Sequence, residues 1–113
     1  VNARGSGPER LAAAHLERHG LRVVARNYRC RFGEIDLVAE GPAGLVFVEV
    51  RARRSEDYGG AAHSITAAKR ERLLAAARHY LATHRERRPC RFDVVLVRGA
   101  QQRIEWIENA FGE

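Results

Sequence analysis

Gly33-Glu34-Ile35-Asp36-Leu37-Val38-Ala39, followed after Gly41-Pro42-Ala43-Gly44 by Leu45-Val46-Phe47-Val48-Glu49-Val50-Arg51, is the stretch on which the reading of this chain turns. Both runs are rich in β-branched and aromatic residues, and the glycine-proline segment between them has turn chemistry, so they are expected to pair as a hairpin. Alternation along the later strand puts Val46, Val48 and Val50 on one face and Leu45, Phe47, Glu49 and Arg51 on the other. In the earlier strand it sets Ile35 and Leu37 opposite Glu34, Asp36 and Val38. Two adjacent strands thus each carry an acid inside a hydrophobic run. If the hairpin brings Asp36 and Glu49 onto one face, the two carboxylates repel in partly desolvated surroundings and raise each other's pKa. A cation must resolve that. Mg²⁺ or Mn²⁺ suits oxygen ligands and can activate water against a phosphodiester. The alternative is a structural ion pair between Asp36 or Glu49 and one of the many arginines.

Outward from the hairpin, Ser6-Gly7-Pro8-Glu9 reads as a capping box opening a helix that runs to about His19, with Gly20 as its stop. A strand, Leu21 to Arg26, and turn-prone Asn27 to Gly33 lead into the hairpin. Beyond it, a polar loop from Arg53 to Gly60 precedes a helix from Ser64 to about His84, ended by the basic run Arg85 to Arg88 and Pro89. Arg91 to Val97 and Arg103 to Glu108 are the last two strands. The order αβββαββ, with no repeat and no long linker, predicts one α/β domain over residues 1–113, frayed over 1–5.

Composition narrows the function. The 113 residues are 45% apolar and 30% charged, which excludes a disordered chain. Uncharged apolar runs such as Leu45 to Val48 fall far short of the roughly 20 residues of a membrane helix, and no signal-peptide h-region is visible. Twenty basic against 14 acidic residues leave a net charge of +6, which predicts attraction to a polyanion such as nucleic acid, with good solubility alone as the bland alternative; no membrane partner and no small-molecule cofactor are expected. Nineteen of the basic residues are arginine; Lys69 is the single lysine. Cys30 and Cys90 lack C-x-x-C spacing, so a reducing cytoplasm is the expected compartment. His15 and His19 share a helix face at i, i+4 spacing, but without the H-E-x-x-H pattern they read as a solvated helix flank.

Gly33-Glu34-Ile35-Asp36-Leu37, Phe47-Val48-Glu49-Val50-Arg51, Lys69 opening a helix, Arg91-Phe92-Asp93-Val94-Val95 and Asn109-Ala110-Phe111 together resemble the YraN family. That bacterial family is similar to archaeal Holliday-junction resolvases and the PD-(D/E)xK nucleases. The resemblance extends from about Gly7 to Phe111. It implies a restriction-endonuclease-like core, a central mixed sheet flanked by helices. It also implies a metal-dependent DNA endonuclease, with branched or junction DNA among its substrates, and a homodimer for junction cleavage. The metal acids fall on Asp36 and Glu49, and the Val50 carbonyl is an additional ligand. Glu9 matches an acid that resolvase-like members carry on the first helix; capping explains it as well.

One position departs from the pattern. The superfamily motif ends in lysine two residues after the glutamate, where this chain has Arg51. Arginine keeps the charge and can clamp phosphate, but its pKa above about 12 makes it a poor base. Lys69, one turn before Leu73 on the margin of the second helix, is the candidate replacement, with a solvated lysine as the bland alternative. Arg26, Arg29 and Arg31 before the Asp36 strand, and Arg53 and Arg54 after the Glu49 strand, are placed to grip phosphates beside the site, with Tyr28 and Tyr58 nearby. Arg85 to Arg91 reads better as a favourable helix terminus than as more of that track. A non-catalytic nucleic-acid-binding or adaptor protein that keeps the nuclease fold is the alternative function.

Overall fold

A computed structural model describes residues 7–53 and 65–112. The Ser6 cap, Arg54, Tyr58, His63, the Ser64 helix start and the fraying of 1–5 lie outside them. The elements are α1 (Gly7–Arg18), β1 (Arg22–Cys30), β2 (Gly33–Gly41), β3 (Gly44–Arg53), α2 (Ala67–Thr83), β4 (Cys90–Arg98) and β5 (Arg103–Phe111). This is the αβββαββ order expected. The strands form one mixed sheet in the order β1-β2-β3-β4-β5. β3 and β4 are parallel, joined by the α2 crossover, and the other neighbours are antiparallel.

The helices cover opposite faces. Ala12, Ala13 and Leu16 of α1 pack on Leu37, Ala39, Val46, Val48 and Val95. Leu74, Ala76, Ala77 and Tyr80 of α2 pack on Val38, Leu45, Phe47 and Phe92. Alternating β3 residues therefore go to different cores, which is why the strand reads as nearly continuous apolar sequence. No helix of the described residues is long and apolar enough to cross a membrane. Cys30 and Cys90 are not joined in a disulfide.

Two expectations need correction here. β1 continues through the predicted turn to Cys30, because Asn27 takes a left-handed backbone (φ 52°) that the strand absorbs. Asparagine tolerates this conformation better than most residues. Alternation also breaks in β2: Leu37 joins the α1 core, while Ile35 joins Val38 in the α2 core. The β1–β2 register shifts between Val23 and Ala25 and then runs unbroken from Ala25↔Val38 to Cys30↔Gly33.

The end of α2 is also set by the backbone. Glu86 N–H donates to Leu81 O at 2.9 Å and Arg85 N–H to Ala82 O at 3.2 Å, with Arg85 left-handed at φ 51°. This is a Schellman-like stop with arginine in the place glycine usually takes. Arg88 is engaged by Glu86 and Glu40, and Arg91 by Asp93 and Glu108, so these arginines tie the fold together.

Candidate active site

The β2–β3 ladder runs from Gly41↔Gly44 to Leu37↔Val48. One residue further, Asp36 and Glu49 stand where the next pair would be. There the Asp36 carboxylate takes over from the backbone: Val50 N–H donates to Asp36 Oδ2 at 2.8 Å. Glu49 shares the α2 face with Phe47 and is only 5% exposed. Burial, and then the Glu49 charge, push the Asp36 carboxyl up to about 7, against the opposing pull of the Val50 hydrogen bond and of Lys69. The two acids are thus near neighbours in a poorly solvated place.

Lys69 is aimed at this pair. Thr66 caps α2 in an extended conformation, its side chain accepting the Lys69 N–H at 3.1 Å. That fixes the first turn of the helix. Lys69 Nζ then lies 3.3 Å from Glu49 Oε2, whereas the Arg51 guanidinium is 4.0 Å from the same oxygen. The solvated reading of Lys69 gives way to an ion pair with a buried carboxylate.

The other expected residues divide. Glu9, in the first turn of α1, keeps one carboxylate oxygen buried. Just past the end of α1, His19 lines one cleft of about 540 Å³ with Gly41 and Gly44. Among the described residues no three His, Cys, Asp or Glu side chains converge on one point; Glu9 does not complete a three-acid cluster. Arg29 and Arg31 join Lys69 in a second cleft of about 550 Å³ beside the acids. Arg29 also pairs with Glu34 at 3.6 Å. Arg26 is exposed on β1, and Arg53 is exposed at the far end of β3, opposite Arg98.

Two groups have partners that the sequence did not show. His15 and His19 lie on a partly exposed helix flank, as expected, but their rings lie 4.3 Å apart, and both meet Trp106 edge-on at 5.8 and 5.7 Å. Burial, with the charges of His19 and Arg18, lowers the His15 pKa. Asp93 is fully buried. It accepts from Arg91 Nε at 3.0 Å, Trp106 Nε1 at 2.8 Å and Asn109 N–H at 2.9 Å. Its carboxylate fills the β4–β5 irregularity at Phe92/Val94, where Asn109 is left-handed at φ 52°. The signal was present in sequence as an acid inside an apolar strand, the same signal that marked Asp36 and Glu49.

Gly33 explains the first residue of the Gly-Glu-Ile-Asp run. A Cβ there would sit 3.0 Å from Arg72 O and 3.2 Å from Arg72 Cβ, so glycine lets α2 come close to β2. That close approach carries Lys69 in over the acids.

Residues 8–97 match the model of the uncharacterised protein family UPF0102. The chain belongs to UPF0102. This is the YraN family whose resemblance the motifs carry. A UPF0102 protein of Nitrosomonas europaea is 56% identical over 111 residues, covering 97% of this chain and 94% of its own. One from Cupriavidus pinatubonensis is 56% identical over 112 residues, covering 98% and 87%. Among solved structures, a repair endonuclease from Pyrococcus abyssi is similar over 90% of this chain at 14% identity and a TM-score of 0.43. This chain spans 42% of that one.

Proposed function

We propose that this UPF0102 protein is a metal-dependent endonuclease that hydrolyses DNA phosphodiesters, with Asp36 and Glu49 at its centre. The observation that supports the reading most is the pairing of two poorly solvated carboxylates where β2 and β3 part, with a lysine delivered against them from α2. A fold gains nothing in stability from such repulsion, so the arrangement calls for a function.

The donor set fits Mg²⁺ or Mn²⁺. Two carboxylates and the Val50 carbonyl are hard oxygen donors, and magnesium is typically held by one or two carboxylates together with water and substrate phosphate. When bound, such an ion supplies Lewis-acid stabilisation of phosphate charge and activates the nucleophile. The chain's own groups do the rest. The Val50 N–H holds Asp36 in one orientation. Lys69 offsets the charge of Glu49 and brings an ammonium to the phosphate side of the pair. Arg51 clamps a phosphate oxygen with its guanidinium and is not the base of the reaction. Arg29 and Arg31 hold the backbone beside the scissile bond.

Purified protein with Mg²⁺ or Mn²⁺ should nick branched DNA, and Asp36→Asn should abolish nicking while leaving DNA binding within about threefold. Equal cutting by that variant would remove the proposal. A non-catalytic nucleic-acid-binding adaptor is favoured by one observation, the ion pair by which Lys69 offsets the Glu49 charge; it predicts binding indifferent to metal and to Asp36.

A further inference from the structure

We infer that Phe32, at the tip of the β1–β2 hairpin, is a stacking platform for an unpaired DNA base, and that it directs the protein to DNA in which single strand and duplex meet. The inference rests on the DNA-cleaving reading above and adds what that site selects.

Cys30 pairs with Gly33, so Arg31 and Phe32 are the two residues of a tight hairpin loop. Such loops favour Asn, Asp and Gly. This one presents a large aromatic instead, and its ring is 42% exposed, the most open of the large apolar side chains described. The Phe32 ring lies 5.9 Å from the His79 ring, tilted to it by 57°. The Arg31 guanidinium lies over the Phe32 ring, 4.9 Å from its centre, and an exposed cation–π contact of this kind is weak enough for a base to displace.

The surroundings define the occupant. Phe32 lines the 550 Å³ cleft with Arg29, Arg31, Glu34, Lys69 and Arg72. Four cations against one acid, itself paired with Arg29, make the cleft anionophilic; a bare apolar partner is not what it fits. Lys69 belongs to both the cleft and the carboxylate pair, so a strand whose base rests on Phe32 has its phosphates carried toward Asp36 and Glu49. A base inside a duplex has no free face to offer. An unpaired one does, and stacking on an aromatic side chain tolerates any sequence. Displaced from the ring, Arg31 is free to meet a phosphate of the same strand.

The test is binding in EDTA, so that cleavage plays no part. A forked DNA carries 2-aminopurine at its first unpaired position, and a blunt duplex of equal length is the control. Wild type should bind the fork more tightly than the duplex and change the 2-aminopurine fluorescence. Phe32→Ala should weaken fork binding about tenfold, a typical loss for one stacked base, erase the fluorescence change and leave duplex binding within about twofold. Phe32→Trp should restore both. Equal effects on fork and duplex, no effect on either, or no binding by wild type overturns the inference. Fork selectivity that depends on Phe32 in a protein that never cuts with Mg²⁺ or Mn²⁺ would instead keep the inference and remove the nuclease reading.

Discussion

Replacing Asp36 by asparagine should make the metal-free protein more stable, most at pH 8 and progressively less as the pH falls to 5. Asparagine keeps an acceptor for the Val50 N–H and adds a donor toward Glu49 while removing one of two repelling charges. The sign follows from proton linkage. The folded Asp36 carboxyl is raised from 3.8 to about 7 by burial and by Glu49, so between those values the native state holds a proton that the unfolded chain has lost. Wild-type stability carried by this group is complete below about pH 4 and is lost as pH rises through 7. At about 1.4 kcal/mol per pKa unit the loss has a ceiling near 4 kcal/mol. Water and local relaxation lower it, and about 1–3 kcal/mol is expected for a partly buried pair. In a domain of this size that moves the melting midpoint by about 5–10 °C. Thermal melts of both proteins from pH 5 to 8 in EDTA give the difference directly, since titration of distant groups cancels. A variant destabilised by the same amount at every pH would refute the reasoning.

Lys69→Ala should lower metal-dependent cleavage by about a hundredfold, the usual scale for one group that stabilises developing charge, while DNA affinity in a gel-shift titration changes only a few-fold. Cleavage at wild-type rate would return Lys69 to a structural role. Gly44→Ala should cost about 3 kcal/mol or more in urea unfolding, because the added Cβ falls 2.1 Å from Pro89 O on a backbone with φ 135°. An unchanged midpoint would contradict that packing. Asp93→Ala should cost about 3–5 kcal/mol, as expected when a buried pair loses one partner, and should expose the Asn109 amide to fast hydrogen exchange; protection equal to wild type would show the β4–β5 clasp to be incidental.

How far the sequence carried this account depends on which regularity each element obeys. Helical period placed Lys69 on the margin of α2, one turn before Leu73, and the structure buries Leu73 and turns Lys69 to Glu49. The parity of Asp36 and Glu49 within their strands put them in adjoining positions. Reading failed where one left-handed residue resets the pattern. Asn27 lets β1 run on to Cys30, whereas α2 is capped at His84 as expected, with Arg85 left-handed where glycine is usual. The contact of His15 and His19 with Trp106 was not legible because that partner comes from the last strand, beyond any local window. Asp93 looks in sequence like Asp36, an acid in an apolar strand. Only tertiary structure separates them: Asp93 is satisfied by Arg91, Trp106 and Asn109, whereas Asp36 faces another acid.

The central claim is that Asp36 and Glu49 together hold a divalent ion, and a calorimetric titration of Mn²⁺ into wild type, Asp36→Asn and Glu49→Gln tests it most directly. At pH 7.5 the account predicts one ion per wild-type chain, an affinity that falls as pH drops from 7.5 to 6 because Asp36 must give up its proton, and loss of binding in both variants. Binding of equal strength in all three proteins, or none in the wild type up to millimolar Mn²⁺, would contradict it.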